Sequence, residues 1–194
     1  MMNKIFYKHY VFLEEINNLI KDNLVKFSNI NIIIDINENN NKNLENQLSI
    51  IKFAKKNRIP FLIKNDFKKS IKYQANGVFI SSDNKKITKP ILLKKKFYII
   101  GGVHNQLEYT QKLKQNCHLL ILSPIFFNEK YSKNKILDIL KFNNKTKNWK
   151  INLCALGGIN SITLKKIKLT KCMAIGFKKI ISNSKIKKPA YNLM

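Results

Sequence analysis

The sequence predicts an α/β protein with the architecture of a compact (β/α)8 TIM barrel. Short apolar runs alternate with longer amphipathic runs along the 194 residues, and they form eight strand–helix units. The strand-like runs lack polar alternation, which is typical of parallel strands buried on both faces. The last two runs end in glycine, where barrels of this kind often bind phosphate. The chain is slightly short for this fold, and a doubly wound open sheet is the alternative.

The first four units are predicted from β-branched runs and from apolar residues at helical spacing. Asn29 to Ile36 is rich in isoleucine, as buried strands are. Leu44, Leu48 and Ile51 lie on one side of a helix, and Pro60 separates that helix from the next strand. The predicted strands are Tyr10 to Leu13, Asn29 to Ile36, Phe61 to Lys64 and Gly77 to Ile80; the predicted helices are Ile16 to Phe27, Leu44 to Lys56 and Phe67 to Tyr73.

The second four units follow a polar stretch, Asp83 to Lys96, which is predicted as a loop with weak helical character. The predicted strands are Phe97 to Ile100, Leu119 to Leu122, Ile151 to Leu156 and Met173 to Ile175; the predicted helices are Gln106 to Gln115, Ile136 to Phe142, Ile162 to Leu169 and one that begins at Lys179 to Ser182. We expect a single barrel domain over residues 1–183 and a frayed, basic tail over residues 184–194.

The formal net charge of +26 raises the question of nucleic-acid binding. Of 37 basic residues, only Arg58 is an arginine, whereas nucleic-acid surfaces favour arginine forks and interleaved aromatic residues. Asparagine and isoleucine are also very frequent, with 27 and 30 residues, and both share A/T-rich codons with lysine. Compositional drift therefore explains the lysines, and we do not expect nucleic acid as a partner. The positive electrostatic field of these lysines would still speed the arrival of anionic substrates.

Hydropathy and cysteine usage predict a cytoplasmic protein without a membrane partner. No apolar stretch reaches the roughly 18–20 residues that cross a bilayer, and the N-terminal residues lack a secretory pattern. The three cysteines, Cys117, Cys154 and Cys172, form no C-x-x-C motif, so we interpret them as reduced core thiols.

Candidate site residues are those that follow the strands, because chemistry in such barrels occurs at the carboxyl ends of the strands. Asp66 and Asp83 follow neighbouring strands together with Asn65 and Asn84, and this oxygen-rich set suits Mg2+. An aspartate after a strand is also a frequent helix N-cap, and that interpretation stays open.

Phosphate contacts are predicted from lysines and from glycine turns. Lys64 and Lys130 could meet phosphate oxygens as point charges. Gly157, Gly158 and Gly176 follow the last two strands, where glycine lets backbone N–H groups approach an anion. A Gly-Gly turn after a strand is also often only a tight turn.

Several segments together resemble the thiamine-phosphate synthase family, including its TenI-like relatives. The resemblance extends from Pro60 to Ile181 and is carried by Pro60 to Asp66, Ala75 to Ile80, Ile100 to His104, Ser123 to Phe126 and Ala155 to Ile159. It implies a Mg2+-dependent transferase whose substrates are phosphorylated small molecules. Such an enzyme joins a pyrimidine, carried as its diphosphate, to a thiazole phosphate and releases pyrophosphate.

The resemblance also implies roles for single residues. Lys64, His104 and Lys130 would be catalytic; Asn65, Gly102 and Ser123 would contact substrate; Asn128, Gly157, Gly158 and Gly176 would bind phosphate; Asp66, Asp83 and Asn84 would bind the metal. In an ungapped register, Asn65 and Asn84 occupy the positions of the family's two metal-binding aspartates. Asp35 and Asn37 replace the arginine and lysine that the family uses after strand two.

These departures leave three functions open: an active synthase, a paralogue that binds or tautomerises a thiazole phosphate, and a non-catalytic barrel. Pro124 replaces the TenI-type histidine, which argues against tautomerisation. The oligomeric state is left open.

Overall fold

A closed barrel of eight parallel strands forms the centre of the protein. The computed structural model describes residues 8–26, 28–87, 97–127, 132 and 135–177. The strands are β1 (Lys8–Leu13), β2 (Ile30–Ile34), β3 (Phe61–Lys64), β4 (Gly77–Ile80), β5 (Tyr98–Val103), β6 (Leu119–Leu122), β7 (Asn152–Leu156) and β8 (Ala174–Phe177). They pair in chain order, and β1 pairs with β8 to close the sheet. The predicted TIM barrel is confirmed, and the open-sheet alternative is excluded.

Six helices are seen within the described residues: α1 (Asn18–Lys26), α2 (Asn41–Lys56), α3 (Phe67–Lys72), α4 (Gln106–Lys114), α5 (Asp138–Thr146) and α6 (Ser161–Ile167). Asparagine side chains cap several of them. The Asn40 carboxamide accepts a hydrogen bond from the backbone N–H of Asn43, and Asn160 caps α6 through Ile162 and Thr163. Residues 81–87, after β4, contain no helix. The predicted helix at Lys179 and the tail over 184–194 lie outside the described residues.

Each strand is buried on both faces, which explains the continuous apolar runs. In β2, Ile33 points into the barrel, where it joins a cluster with Tyr10 and Leu62. Ile32 and Ile34 point outward and pack in a second cluster with the helices, including buried side chains of α1 and α2. A third cluster covers the opposite side of the barrel around α5 and β7. The alternation of inward and outward side chains follows from the two-residue period of a strand.

Three strands, β3, β4 and β6, have the predicted bounds, whereas β5 and β8 end later than predicted. β5 continues to Val103, so Gly101 and Gly102 lie within the strand. A Cβ atom at Gly101 would lie 2.9 Å from side-chain atoms of Lys112, Cys117 and Leu120, so glycine here allows α4 to pack closely on the sheet. β8 continues to Phe177, so Gly176 lies inside that strand as well.

α5 begins two residues later than the predicted start at Ile136 and extends beyond Phe142. The backbone N–H of Leu137 donates to the Pro124 carbonyl, and that of Asp138 donates to the Ile125 carbonyl. These bonds tie the residues before α5 to the segment after β6. A contact between distant parts of the chain thus sets the start of this helix, and local periodicity could not reveal it.

The three cysteines are free thiols and are buried, as predicted. Burial raises the pKa of the Cys117 thiol to about 12 and raises the pKa of the Cys154 thiol as well. Both therefore stay protonated and unreactive near neutral pH. No helix in the described part of the chain has the length and apolar character needed to cross a membrane.

Replacement of Gly77 tests how tightly β4 and β5 are fitted. A Cβ atom at Gly77 would lie 2.1 Å from the backbone oxygen of Tyr98, and a backbone atom cannot swing aside. We expect Gly77→Ala to lower the free energy of unfolding by about 1–3 kcal/mol or more in urea titrations. Gly102→Ala is the matched control, since its Cβ would be 3.2 Å from the Phe79 ring, and it should cost less. Equal losses would contradict this account of the fit.

Candidate active site

Polar residues stand at the carboxyl ends of five successive strands. Barrel closure in chain order places these ends side by side on one rim, which is the face where TIM-barrel chemistry occurs. The rim residues are Asp35 after β2, Lys64 at the end of β3, Ser81 after β4, His104 after β5 and Ser123 after β6. Lys64, His104 and Ser123, three of the predicted site residues, therefore lie on one rim.

Lys64 is held by a carboxylate from the neighbouring strand. Its Nζ atom lies 2.6 Å from Oδ2 of Asp35, and both side chains are accessible to solvent, with 34% and 61% of their surfaces exposed. The ion pair joins the ends of β2 and β3. Because the carboxylate offsets the ammonium charge, Lys64 presents less positive charge to an incoming phosphate than an unpaired lysine would.

Asn65 is hydrogen-bonded to Ser81, the residue that follows β4. Its Nδ2 donates to the Ser81 hydroxyl at 2.7 Å, and its Oδ1 accepts from the Ser81 backbone N–H at 2.8 Å. Its backbone has φ of 56°, in the left-handed region that asparagine tolerates better than most residues. The carboxamide therefore links two strand ends through both of its polar atoms.

Asp66 caps helix α3. Its Oδ1 accepts from the Lys69 backbone N–H at 2.8 Å, and its Oδ2 lies 3.8 Å from the Lys69 ammonium. This is the N-cap alternative that the sequence left open. The carboxylate can satisfy a helix N-terminus and one lysine without any metal.

Lysines of α3 also hold the segment that follows β2. The Lys69 ammonium donates to the Ile36 carbonyl at 3.0 Å, and Lys72 and Tyr73 both donate to Glu38. The hydrogen bond from Lys72, and then that from Tyr73, lowers the pKa of the Glu38 carboxyl. Glu38 is therefore ionised near neutral pH and ties the β2–α2 segment to α3.

Asp83 and Asn84 lie in the loop after β4. A hydrogen bond from the Ser81 hydroxyl lowers the pKa of the Asp83 carboxyl, so this exposed group is ionised near neutral pH. The Asn84 Oδ1 accepts from the Lys86 backbone N–H at 3.0 Å and so shapes its own loop. Of the predicted metal set, only Asp83 retains a carboxylate without a capping role.

The described residues do not fit the Mg2+ that the resemblance implies. Among them, no three His, Cys, Asp or Glu side chains are placed to hold one ion. Asp66 caps a helix, Asn65 is bound to Ser81, and Asn84 closes a turn. A single carboxylate, Asp83, is a weak basis for a cation that prefers several oxygen ligands.

His104 connects the ends of β5 and β6. Its Nδ1 lies 3.1 Å from Oε2 of Glu108, and its Nε2 lies 3.3 Å from the Ser123 hydroxyl. The Glu108 oxygen also accepts from the His104 backbone N–H at 2.6 Å. Sequence reasoning predicted His104 and Ser123 but missed Glu108. The spacing Asn105-x-x-Glu108, which is typical of a capping box at a helix N-terminus, could have pointed to Glu108.

A buried lysine, Lys112 of α4, was also missed. Its side chain has no exposed surface, and its ammonium donates to the Asn84 carbonyl at 2.8 Å. Gln115 donates to the carbonyls of Asn84 and Lys86, so α4 holds the loop after β4 at several points. Burial lowers the pKa of Lys112. Its position on the core-facing side of α4 was the available signal.

The glycine turn after β7 lies against the segment after β6. Gly157 and Gly158 have φ of 100° and 65°. A Cβ atom at Gly158 would lie 2.3 Å from the Phe127 backbone oxygen, and one at Gly157 would lie 3.0 Å from the Pro124 ring. Both glycines are therefore required by backbone conformation and close packing, whether or not a ligand binds.

Gly102 and Gly176 occupy the upper barrel interior rather than loops after their strands. A Cβ at Gly176 would lie 3.0 Å from Leu156, and one at Gly102 would approach the Phe79 ring. Phe79 in turn packs edge-on against Phe12, with 5.2 Å between ring centroids. The predicted positions after the strands are therefore corrected for both glycines. Asn128 and Lys130 lie outside the described residues.

Two depressions in the described part of the structure lie away from the rim. One, of about 460 Å3, is lined by residues at the amino ends of the strands, including Lys8, Asn31 and Pro60. The other, of about 690 Å3, lies between α1 and α2. The amino-terminal face of such barrels serves stability, so we place the candidate site at the opposite rim.

Comparisons with known proteins identify the family of this chain. The sequence matches the model of the thiamine monophosphate synthase family over residues 14–179. None of the curated proteins compared with the sequence matches it. Among solved structures, a thiamine phosphate pyrophosphorylase from Pyrococcus furiosus has a TM-score of 0.72 and 15% identity, covering 92% of this chain and 89% of its own.

Two other solved structures show the same fold. Thiamine phosphate pyrophosphorylase from Bacteroides thetaiotaomicron has a TM-score of 0.53 and 14% identity, covering 89% of this chain and 82% of its own. KGPDC from Streptococcus mutans has a TM-score of 0.60 and 12% identity, with coverage of 93% and 92%. Identities this low support the fold alone. The family match spans most of the chain, and the chain therefore belongs to the thiamine monophosphate synthase family.

The capping role of Asp66 is tested with two substitutions. Asp66→Asn keeps a side-chain oxygen for the Lys69 N–H and should change the free energy of unfolding little. Asp66→Ala removes the cap and should cost about 0.5–2 kcal/mol. Thermal unfolding followed by circular dichroism measures both. If Asn were as damaging as Ala, the charge rather than the cap would be what Asp66 supplies.

Lys112 is tested in a similar way. Lys112→Met fills the same space without a buried ammonium and should be at least as stable as the parent, whereas Lys112→Ala leaves a cavity and should cost about 2–5 kcal/mol. Folding lowers the pKa of Lys112 below its ordinary value of 10.5. Between the lowered pKa and 10.5, the unfolded chain therefore binds more protons than the folded chain. The parent should therefore gain stability relative to Lys112→Met as pH rises through this window. A constant difference in urea titrations would count against the buried-amine account.

Proposed function

We propose that this member of the thiamine monophosphate synthase family is a transferase that joins a pyrimidine, carried as its diphosphate, to a thiazole phosphate. The observation that carries the proposal is the family match over residues 14–179. The rim of polar residues on β2 to β6 is consistent with it, because the reaction needs a polar surface at the carboxyl ends of the strands.

The proposed reaction is dissociative. The bond between the pyrimidine methylene carbon and the diphosphate oxygen breaks, the electron pair leaves with pyrophosphate, and the thiazole nitrogen then attacks the methylene cation. The protein's main task is electrostatic stabilisation of the leaving diphosphate. Lys64 and Lys130 are the candidates for this role, with phosphate contacts from Asn128, Gly157, Gly158 and Gly176. His104, Ser123, Asn65 and Gly102 are the proposed substrate contacts.

No step of this proposal is assigned to a metal, because the described residues do not fit Mg2+ in their present arrangement. The Mg2+ dependence implied by the resemblance therefore stays a prediction about the substrate complex. It is tested directly by comparing turnover with Mg2+ and with a chelator.

A second function is favoured by one observation. Lys64 is paired with Asp35 at 2.6 Å, which weakens the predicted diphosphate contact. A paralogue that binds a thiazole phosphate without transferring a pyrimidine would need fewer charges at this point of the rim. A non-catalytic barrel is the third candidate.

An assay separates the three candidates. Purified protein is incubated with the pyrimidine diphosphate and the thiazole phosphate, and thiamine phosphate and pyrophosphate are measured. Formation of both products at equal rates supports the synthase. Stabilisation by the thiazole phosphate without any product supports the binding paralogue. If neither substrate changes the melting temperature and no product forms, the barrel is non-catalytic.

The ion pair at the rim is tested through pyrophosphate binding. Asp35→Asn removes the compensating charge and should tighten binding about fivefold, since a charge 4 Å away in water is worth about 1 kcal/mol. Lys64→Met should weaken binding to a similar extent. Asp22→Asn on α1 has the same effect on net charge away from the rim and serves as the control. Isothermal titration calorimetry at low salt measures all four proteins. Equal effects of the two aspartate variants would rule out a local role for Lys64.

A further inference from the structure

We infer that Ser123, His104 and Glu108 form a nucleophile, base and orienting group that cleave small carboxylic esters. This activity goes beyond the proposed synthase reaction, which uses no serine nucleophile. The inference rests on the alignment of three side chains at the ends of β5 and β6, on the face where TIM-barrel enzymes carry out their chemistry.

The two ring nitrogens of His104 have the partners that such a base requires. An ionised carboxylate can only accept, so the contact of 3.1 Å with Glu108 places the ring proton on Nδ1. Nε2 then carries the free lone pair and lies 3.3 Å from the Ser123 Oγ. Hydrogen bonds of this kind are often slightly long in proteins without substrate. The same division of roles operates in serine hydrolases.

Neighbouring groups hold this arrangement in place. Glu108 accepts from the His104 backbone N–H at 2.6 Å, and its other oxygen accepts from the Asn105 carboxamide at 2.9 Å. Lys145 of α5 donates to the His104 carbonyl at 2.8 Å. Glu108 of α4 thus holds the imidazole, and Lys145 of α5 holds the His104 backbone. About 40% of the His104 side chain is exposed, so the ring is accessible from solvent.

The local chemistry also suits acyl transfer. Three described lysines near the rim each have an acceptor within the protein. Lys64 binds Asp35, Lys145 binds the His104 carbonyl, and Lys112 binds the Asn84 carbonyl. An ester carbonyl needs only N–H donors for the oxyanion that forms.

The oxyanion would need backbone N–H donors, and the glycine turn after β7 lies against the segment that follows β6. Gly157 lies against Pro124, the residue that follows Ser123. The N–H groups of Gly157 and Gly158 donate to no backbone carbonyl among the described residues. We assign them as the candidate oxyanion donors.

The steps balance with water as the only co-reactant. The Ser123 Oγ adds to the ester carbon while its proton passes to Nε2 of His104, and the carbonyl electron pair moves onto oxygen. Collapse expels the alkoxide, which takes the proton from Nε2 and leaves an acyl-serine. Water then gives a proton to Nε2 and adds to the acyl carbon. When this second intermediate collapses, Ser123 Oγ leaves and regains the proton, and the carboxylic acid is released.

A fluorophosphonate probe tests the nucleophile in the intact protein. We expect covalent labelling of Ser123, located by peptide mass spectrometry, together with release of nitrophenol from p-nitrophenyl acetate. Ser123→Ala should abolish the labelling, while Ser49→Ala, at an exposed position of α2, should leave the rate unchanged. A folded parent protein with no label at Ser123 overturns the inference.

Two further variants test the roles of His104 and Glu108. His104→Gln should slow labelling about 100-fold or more, and Glu108→Gln, which keeps an oxygen for the His104 N–H, should slow it about tenfold or more. In the His104→Gln background, Glu108→Gln should have no further effect, because Glu108 acts through the imidazole. Additive effects, or unchanged labelling in folded single variants, overturn the assignment. Melting temperatures verify folding.

Discussion

Pairing of β1 with β8 closes the sheet, and this closure determines what the rest of the protein can do. Tyr10 lies opposite Gly176 in that pair, and the four matched positions run from Lys8 to Val11. A closed parallel barrel has all strand ends of one polarity on a single rim. Residues as distant in sequence as Asp35 and Ser123 therefore share one surface, although no local signal connects them.

Burial on both faces restricts where polar chemistry can occur. Strand interiors are filled by apolar side chains, so the polar residues are displaced to the rim, where each also has a structural partner. Asp66 caps a helix, Asn65 links two strands, and Lys64 forms an ion pair. Because these side chains already have structural roles, a sequence motif alone overestimates how many of them are available to bind a metal or a substrate. A small barrel has few rim positions, and many of the side chains there already cap helices or connect strand ends.

Charge balance at the rim differs from that of the whole chain. The sequence carries 11 acidic against 37 basic residues, yet Asp35, Glu38 and Glu108 are all engaged at this end of the barrel. At this rim, acidic residues thus hold lysines and a histidine in defined positions. The lysine excess elsewhere contributes a general field, whereas these local pairs determine which groups meet a substrate.

The amino-acid sequence by itself determined the fold class, most strand positions and the polar residues that follow β2 to β6. Continuous apolar runs such as Phe61 to Lys64 report burial on both faces directly, and glycine and proline mark the ends of units. Only the tertiary structure decided the late end of β5, the start of α5, the capping role of Asp66 and the contact of Glu108 with His104. Each of these depends on atoms that are distant in the chain or on a side-chain orientation, and a one-dimensional pattern contains neither.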